Sequence, residues 1–310
     1  MQTTIVTMFF NLKELKDASM QTRPLDFYIK HSIEVLKLQY PMIIFCDETT
    51  YTFLKELRET NSNNSPTQYI RKNITEYDFY KNNWDIINTN RINSNGYKDP
   101  TDRNTVSYYL LNMFKPLALL IAKQRNDFDS KYYAWIDAGC NHIVRNIAKY
   151  APKMLDNPNP KVSACYIHYR SHQEIYPMKK YMEYGGRCGI AGTAYTVEKD
   201  YVEKYYSCMF SIFHKITYNQ VGHSDETVMT YCFDKYPELF HIYYGDYYSV
   251  FTNYHEPIED YHAIKHYFIN ESINKGRRDL AKIAAEKLLL CHQNNNIVLD
   301  DDNIKFLRNI

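Results

Sequence analysis

Glycine is scarce in this chain, nine in 310 residues, so positions that demand left-handed backbone or close main-chain approach are few, and any place where glycines gather is informative. Zinc-ribbon spacing is lacking too: the seven cysteines (46, 140, 165, 188, 208, 232 and 291) form no CxxC pair and are odd in number. That pattern excludes a disulfide scaffold and points to a reducing, cytoplasmic setting. No charge of one sign dominates, with 37 Lys and Arg against 36 Asp and Glu, so nothing favours nucleic acid or an anionic membrane as partner, and an anionic ligand has to be held locally. No window approaches the roughly 18 to 20 apolar residues of a membrane span, and the Thr4 to Phe10 run lacks the length and basic flank of a signal peptide. A soluble protein is expected.

Tyrosine is plentiful, at 31 residues, and with abundant Asn, Lys and Ile it reads as the imprint of AT-rich coding. It blurs hydrophobic patterning, because tyrosine suits both a core and a wet surface. Thr4 to Phe10 is β-branched and apolar enough for a buried strand, Met42 to Cys46 is a second, and Tyr69 to Ile74 a third. A helix is expected from an N-cap at Asp26 towards Pro41, and another over Tyr51 to Glu59. Asn88 to Arg103 reads as a long loop, and Asn104 to Lys123 as a buried helix kinked or restarted at Pro116. Strands are expected at Tyr132 to Asp137, Val162 to Ile167 and His241 to Tyr244, with a Pro- and Asn-rich turn over Pro152 to Pro160. Helices follow at about Glu198 to Lys215 and before Pro237. His262 to Cys291 has helical periodicity broken at Gly276, the pattern of a hairpin packed on the main domain.

This succession predicts an α/β fold with a Rossmann-type, mostly parallel sheet flanked by helices, residues 1–255, and a C-terminal helical extension over 256–310. Ligands of such sheets bind beyond the C-terminal strand ends. Asp47 and Asp137 both fall there. Asp137 stands out, because Tyr132-Tyr133-Ala134-Trp135-Ile136 delivers a carboxylate to a strand edge and two small residues follow. An ionised carboxylate beside a core is costly unless a cation, a donor or a ligand meets it; capping of a turn is the competing role. Lys115, a charge inside an apolar helix, likewise needs a partner. Four of the nine glycines crowd into Gly185-Gly186-Arg187-Cys188-Gly189-Ile190-Ala191-Gly192, which suggests close backbone approach to a ligand or to another strand.

Taken in order along the chain, Ile5-Val6-Thr7-Met8-Phe9-Phe10-Asn11, Pro41-Met42-Ile43-Ile44-Phe45, the helix with Lys115, Trp135-Ile136-Asp137-Ala138-Gly139, Gly185-Gly186, Asp225-Glu226, and Gly245-Asp246-Tyr247 ending near Asn253-Tyr254 resemble the HtrL/YibB-type family of glycosyltransferase-like proteins. The resemblance spans roughly residues 3 to 255 and implies a GT-A fold acting on a nucleotide-diphospho-sugar, a UDP-sugar by expectation, and a glycan acceptor. It implies a donor site drawn from Thr7, Phe9, Arg23, Asp47, Lys115, Asp137, Gly185 and Gly186. A Mn²⁺ or Mg²⁺ ion would be bound through Asp137, with Asp246 and His255 as further ligands. Typical members of the fold carry Asp-x-Asp at this strand end; here the sequence is Asp137-Ala138-Gly139, and the second acid is missing.

Expulsion of a nucleoside diphosphate builds negative charge that a hard cation on oxygen ligands counters. Arg23 and Lys115 suit the diphosphate, one as a fork and the other as a point charge. Asp225 and Glu226 at a helix start could take the acceptor's proton or support the departing sugar cation, although acids favour helix N-termini for dipole reasons alone. Two other readings stay open: a sugar nucleotidyltransferase, and a non-catalytic glycan-binding or scaffold protein derived from a transferase. Against the former, the first strand is followed by Asn11-Leu12-Lys13-Glu14 and not by a glycine-rich basic loop.

Overall fold

The computed structural model describes residues 3–18, 23–93, 105–170, 189–218 and 224–310. Among them, seven strands form one sheet: β1 (Thr3–Phe9), β2 (Met42–Cys46), β3 (Thr67–Arg71), β4 (Tyr132–Ile136), β5 (Val162–Tyr166), β6 (Ile190–Glu198) and β7 (Phe240–Tyr244), in the order β3-β2-β1-β4-β6-β5-β7. All pairings are parallel except those of β6, which runs antiparallel to β4 and β5. Strands buried on both faces read as unbroken apolar runs, which is why every residue of β2 and β4 is buried.

Alternation along the strands divides the interior into two layers. Ile5, Ile44 and Ile136 face α1 (Leu25–Leu36), α2 (Glu48–Asn61) and α5 (Ile147–Asp156) through Val35, Leu54 and Met154. Val6, Phe45 and Trp135 face α3 (Asp78–Asn93), α4 (Val106–Arg125), α6 (Val202–Tyr218) and α7 (Asp225–Lys235) through Ile87, Phe114, Phe213 and Val228. The predicted α/β class, with a mostly parallel sheet flanked by helices, is what the structure shows.

The tail continues on the second layer. Residues 261–274 form a helical segment, α8, whose middle, Ile264–Asn270, is π-helical. A turn at Gly276, with φ +75°, leads into α9 (Arg278–Gln293), and α10 (Asp301–Arg308) closes the chain. Phe268 of α8 packs on Tyr166 and Tyr244, with ring centroids 5.0 and 4.5 Å apart, so the extension shares the sheet's own core.

Several elements differ from the sequence expectation. Pro116 neither breaks nor restarts α4, which runs through it with both Lys115 and Pro116 buried; packing of the surrounding face outweighs the lost backbone donor. The supposed turn at Pro152 is the last part of α5, and α3 extends through Asn88 to Asn93. Asp26 lies in the first turn of α1, whose N-cap is Pro24. Strand β6, which the sequence pattern does not announce, contains Gly192, and the close neighbour at Gly189 and Gly192 is α7, through Thr230, Asp225 and Glu226.

Candidate active site

Residues two apart on a strand share a face, so Trp135 and Asp137 both project from β4 towards α4. Trp135 Nε1 donates to Asp137 Oδ1 at 2.8 Å. Lys115, midway along α4, reaches the same carboxylate at 3.0 Å to Oδ1 and 3.3 Å to Oδ2. Its Nζ also lies 2.9 Å from Asp225 Oδ2 and 3.1 Å from the Gly192 carbonyl oxygen. An ammonium has three N–H donors, and these three partners account for them. The Lys115 and Asp225 side chains are 3% and 4% exposed, whereas Asp137 keeps 33%. The trio therefore has an inner ion pair and one outward carboxylate.

Burial alone would lower the Lys115 ammonium, but Asp137 and Asp225 together outweigh it and hold it well above the ordinary lysine value. Burial raises the Asp137 carboxyl above the usual carboxylate value; Lys115 pulls it back and Asp225 adds to the rise. The Lys115 direction follows from two close carboxylates, and it fixes the ammonium as charged.

Gly192 of β6 joins this trio to the next acid. Its carbonyl accepts from Lys115, and its N–H donates to Glu226 Oε1 at 2.9 Å. Glu226 Oε2 accepts from the Tyr247 hydroxyl at 2.7 Å. Tyr247 opens a short turn, Tyr247–Ser249, after β7, and its backbone N–H is held by Asp246 Oδ1 at 2.6 Å. Asp225 and Glu226 stand side by side as the first residues of α7, where anions suit the helix dipole.

A basic rim borders the turn that follows Asp137. Arg23 Nη1 lies 3.2 Å from His142 Nε2, and His142 Nδ1 lies 2.6 Å from the Gly139 carbonyl oxygen. The guanidinium can only donate, so Nε2 accepts and Nδ1 carries the proton given to Gly139. Arg145 follows on the same stretch of chain, its guanidinium 4.5 Å over the Tyr248 ring and its backbone N–H 3.0 Å from the Tyr248 carbonyl oxygen.

Other residues expected in the donor or metal site are placed differently. Asp47 is the N-cap of α2: Oδ1 accepts from Thr50 N–H and Thr50 hydroxyl, both at 2.8 Å, and Oδ2 from Asn11 N–H at 2.7 Å. Thr7 is fully buried inside β1, and Phe9 packs edge-on against Phe53 at 5.2 Å. Asp246 caps its own turn, while His255 Nε2 lies 3.2 Å from the Lys153 carbonyl oxygen. Among the described residues no three His, Cys, Asp or Glu side chains form a metal-ligating group, so Asp137, Asp246 and His255 do not make one together. Lys115 was expected on the diphosphate; its donors are instead spent inside the protein. Gly185 and Gly186 lie outside the described residues.

Sequence reasoning missed the polar use of Trp135, which reads as a core residue; the signal was its i, i+2 relation to Asp137. Tyr247 and His142 carried no role in the sequence, and only the sheet and the turns bring them to this edge.

These features define an α/β protein with an acidic cluster, bordered by arginines, at the C-terminal edge of a mostly parallel sheet. The family described as "Bacterial protein of unknown function (HtrL_YibB)" matches residues 1–256, and the chain belongs to it. No curated protein matches the sequence significantly. Among solved structures, the chain is similar to apo mouse xyloside xylosyltransferase 1, with 12% identity, TM-score 0.45, and 78% of this chain and 85% of that one covered. It is also similar to core-mannan synthase A (CmsA/Ktr4) from Aspergillus fumigatus in its Mn/GDP form, with 11% identity, TM-score 0.45 and coverage of 78% and 72%. A third likeness is to the 4-diphosphocytidyl-2C-methyl-D-erythritol synthase of Anaerococcus prevotii, with 10% identity, TM-score 0.36 and coverage of 79% and 88%. No helix among the described residues is long and apolar enough to cross a membrane.

Proposed function

We propose that this protein is a glycosyltransferase that moves a sugar from a nucleotide-diphospho-sugar, a UDP-sugar by our reading, to a glycan hydroxyl. The observation that carries the proposal is Asp137: a carboxylate at the C-terminal edge of the central strand, oriented by an indole N–H and an ammonium and still one third exposed. A residue serving only as a cap turns its oxygens to nearby amides, as Asp47 does. Asp137 does not.

Charge supports a cation in the donor site. Among the described residues the Lys115 ammonium pairs with the carboxylates of Asp137 and Asp225, and Gly192 links it to Glu226; these four side chains together carry a net negative charge that would repel a diphosphate. Among the described residues Asp137 Oδ2 has only the longer Lys115 contact, and Mg²⁺ is commonly held by one or two carboxylates with substrate phosphates and water. Asp137 thus fits as the protein's ligand to Mn²⁺ or Mg²⁺, without Asp246 or His255. When bound, such an ion would neutralise charge on the departing diphosphate. The protein's own residues supply the rest: Trp135 and Lys115 orient Asp137, Arg23 and Arg145 offer guanidiniums at the rim, and Glu226 presents a second carboxylate across Gly192.

Calorimetric titration with nucleoside diphosphates, with and without Mn²⁺, tests this reading, followed by assay of nucleotide-sugar hydrolysis. Metal-enhanced diphosphate binding with slow sugar release is expected. Asp137→Ala should cost about 3 kcal/mol of transition-state stabilisation, roughly a hundredfold in rate; full activity in the folded variant contradicts the proposal. Triphosphate binding with pyrophosphate formation would indicate a nucleotidyltransferase, and no nucleotide response a glycan-binding or scaffold protein.

A further inference from the structure

Of the two adjacent acids that begin α7, only one is placed to exchange a proton. Asp225 is 4% exposed and bound to Lys115, so protonating it would break the inner ion pair. Glu226 is partly exposed and accepts from two directed donors, the Gly192 N–H and the Tyr247 hydroxyl. Those donors come from different strands' ends, β6 and the turn after β7. The turn is itself locked, because Asp246 Oδ1 accepts from Tyr247 N–H and the Ser249 hydroxyl accepts from Asp246 N–H at 3.0 Å.

We propose that Tyr247 is a positioning residue for the transfer reaction, aiming Glu226 as the proton acceptor, while Asp225 serves Lys115. This rests on the glycosyltransferase reading. In the step, the acceptor oxygen forms a bond to the anomeric carbon and its proton passes to Glu226. The bond from that carbon to the diphosphate oxygen breaks, and its electron pair leaves with the nucleoside diphosphate. The same assignment gives Asp246 a purpose other than metal binding: it holds the backbone from which the Tyr247 phenol reaches Glu226.

The test uses the full chain with Mn²⁺ and whichever commercial UDP-sugar or GDP-mannose the wild type hydrolyses fastest, water standing in for the acceptor hydroxyl. Tyr247→Phe deletes one hydroxyl. It should lower kcat about tenfold or more, the effect of one hydrogen bond to a charged group. The donor KM and the calorimetric affinity for the matching nucleoside diphosphate, UDP or GDP, should change by less than about twofold, since the ground-state contacts are elsewhere. The acid limb of the pH–rate profile should move to higher pH, because the ionised carboxylate loses a donor. An unchanged kcat with an unchanged profile overturns the proposal. Glu226→Gln is the second arm, independent of how well the first variant folds: a loss of about a hundredfold or more in kcat is expected, and wild-type kcat overturns the assignment. A wild-type protein that neither binds UDP nor hydrolyses any donor instead sinks the glycosyltransferase reading itself.

Discussion

Gly192 and Asp225 are packed so closely that no side chain fits between them: a Cβ on Gly192 would lie 2.2 Å from Asp225 Oδ2 and 3.1 Å from Glu226 Cγ. The glycine lets α7 press its first carboxylates against β6, which is how the backbone of one residue contacts both Lys115 and Glu226. Gly192→Ala should therefore push Asp225 off Lys115 and destabilise the protein by about 1–3 kcal/mol, as overpacked interiors do. Thermal unfolding measures this. A melting temperature equal to wild type would show that α7 can withdraw freely.

Lys115 holds two carboxylates that would otherwise stand unpaired at the sheet edge. Lys115→Met keeps the apolar stem and removes the charge, and breaking a buried pair in this way costs about 3–5 kcal/mol. Adding Asp225→Asn should restore part of that loss, since the stranded charge goes with it. Equilibrium denaturation of the single and double variants reads the effect; a double variant less stable than Lys115→Met would contradict the ion-pair account.

Trp135 and Asp137 are joined by an indole N–H to carboxylate bond of 2.8 Å. A double-mutant cycle of Trp135→Phe and Asp137→Ala should give a coupling of about 1–2 kcal/mol in stability. Simple additivity would mean that the indole contributes only its ring to the core.

Alkaline pH should weaken the fold through two kinds of buried group. Burial pushes the Tyr77, Tyr80 and Tyr133 phenols up to about 12, while phenols of an unfolded chain ionise near ~10. Between those values the unfolded chain sheds protons that the native protein keeps, so stability falls as pH rises through that window. Lys115, held high in the fold, contributes in full below the unfolded lysine value of about 10.4 and loses that contribution progressively from there up to its native value. Denaturant midpoints against pH, with phenolate absorbance at 295 nm, follow both. Native tyrosines that all titrate near ~10 would refute the tyrosine part.

The strands β1, β2, β4 and β5 were legible because a doubly covered strand must be apolar throughout, and such runs stand out even among 31 tyrosines; β7, an edge strand, was legible by its alternation. Asp137 was legible for the complementary reason, as a charge ending such a run. Strand β6 and helix α5 were not: glycine in the one and Pro152 in the other carry local signals that tertiary packing overrides. Asp47 and Asp137 look alike in sequence, each an acid at a strand end, yet three donors from Thr50 and Asn11 occupy one while the other faces Lys115 and solvent.

By itself, then, the chain's order of apolar runs determined the layered α/β architecture and the edge at which charged groups gather, because burial of backbone and side chains leaves few alternatives. Which charges meet there was decided only in three dimensions. Lys115, Asp137, Gly192, Asp225, Glu226 and Tyr247 come from five separate elements, and hydrogen bonds and ion pairs act over about 3 Å, a distance set by how those elements pack and not by their spacing along the chain.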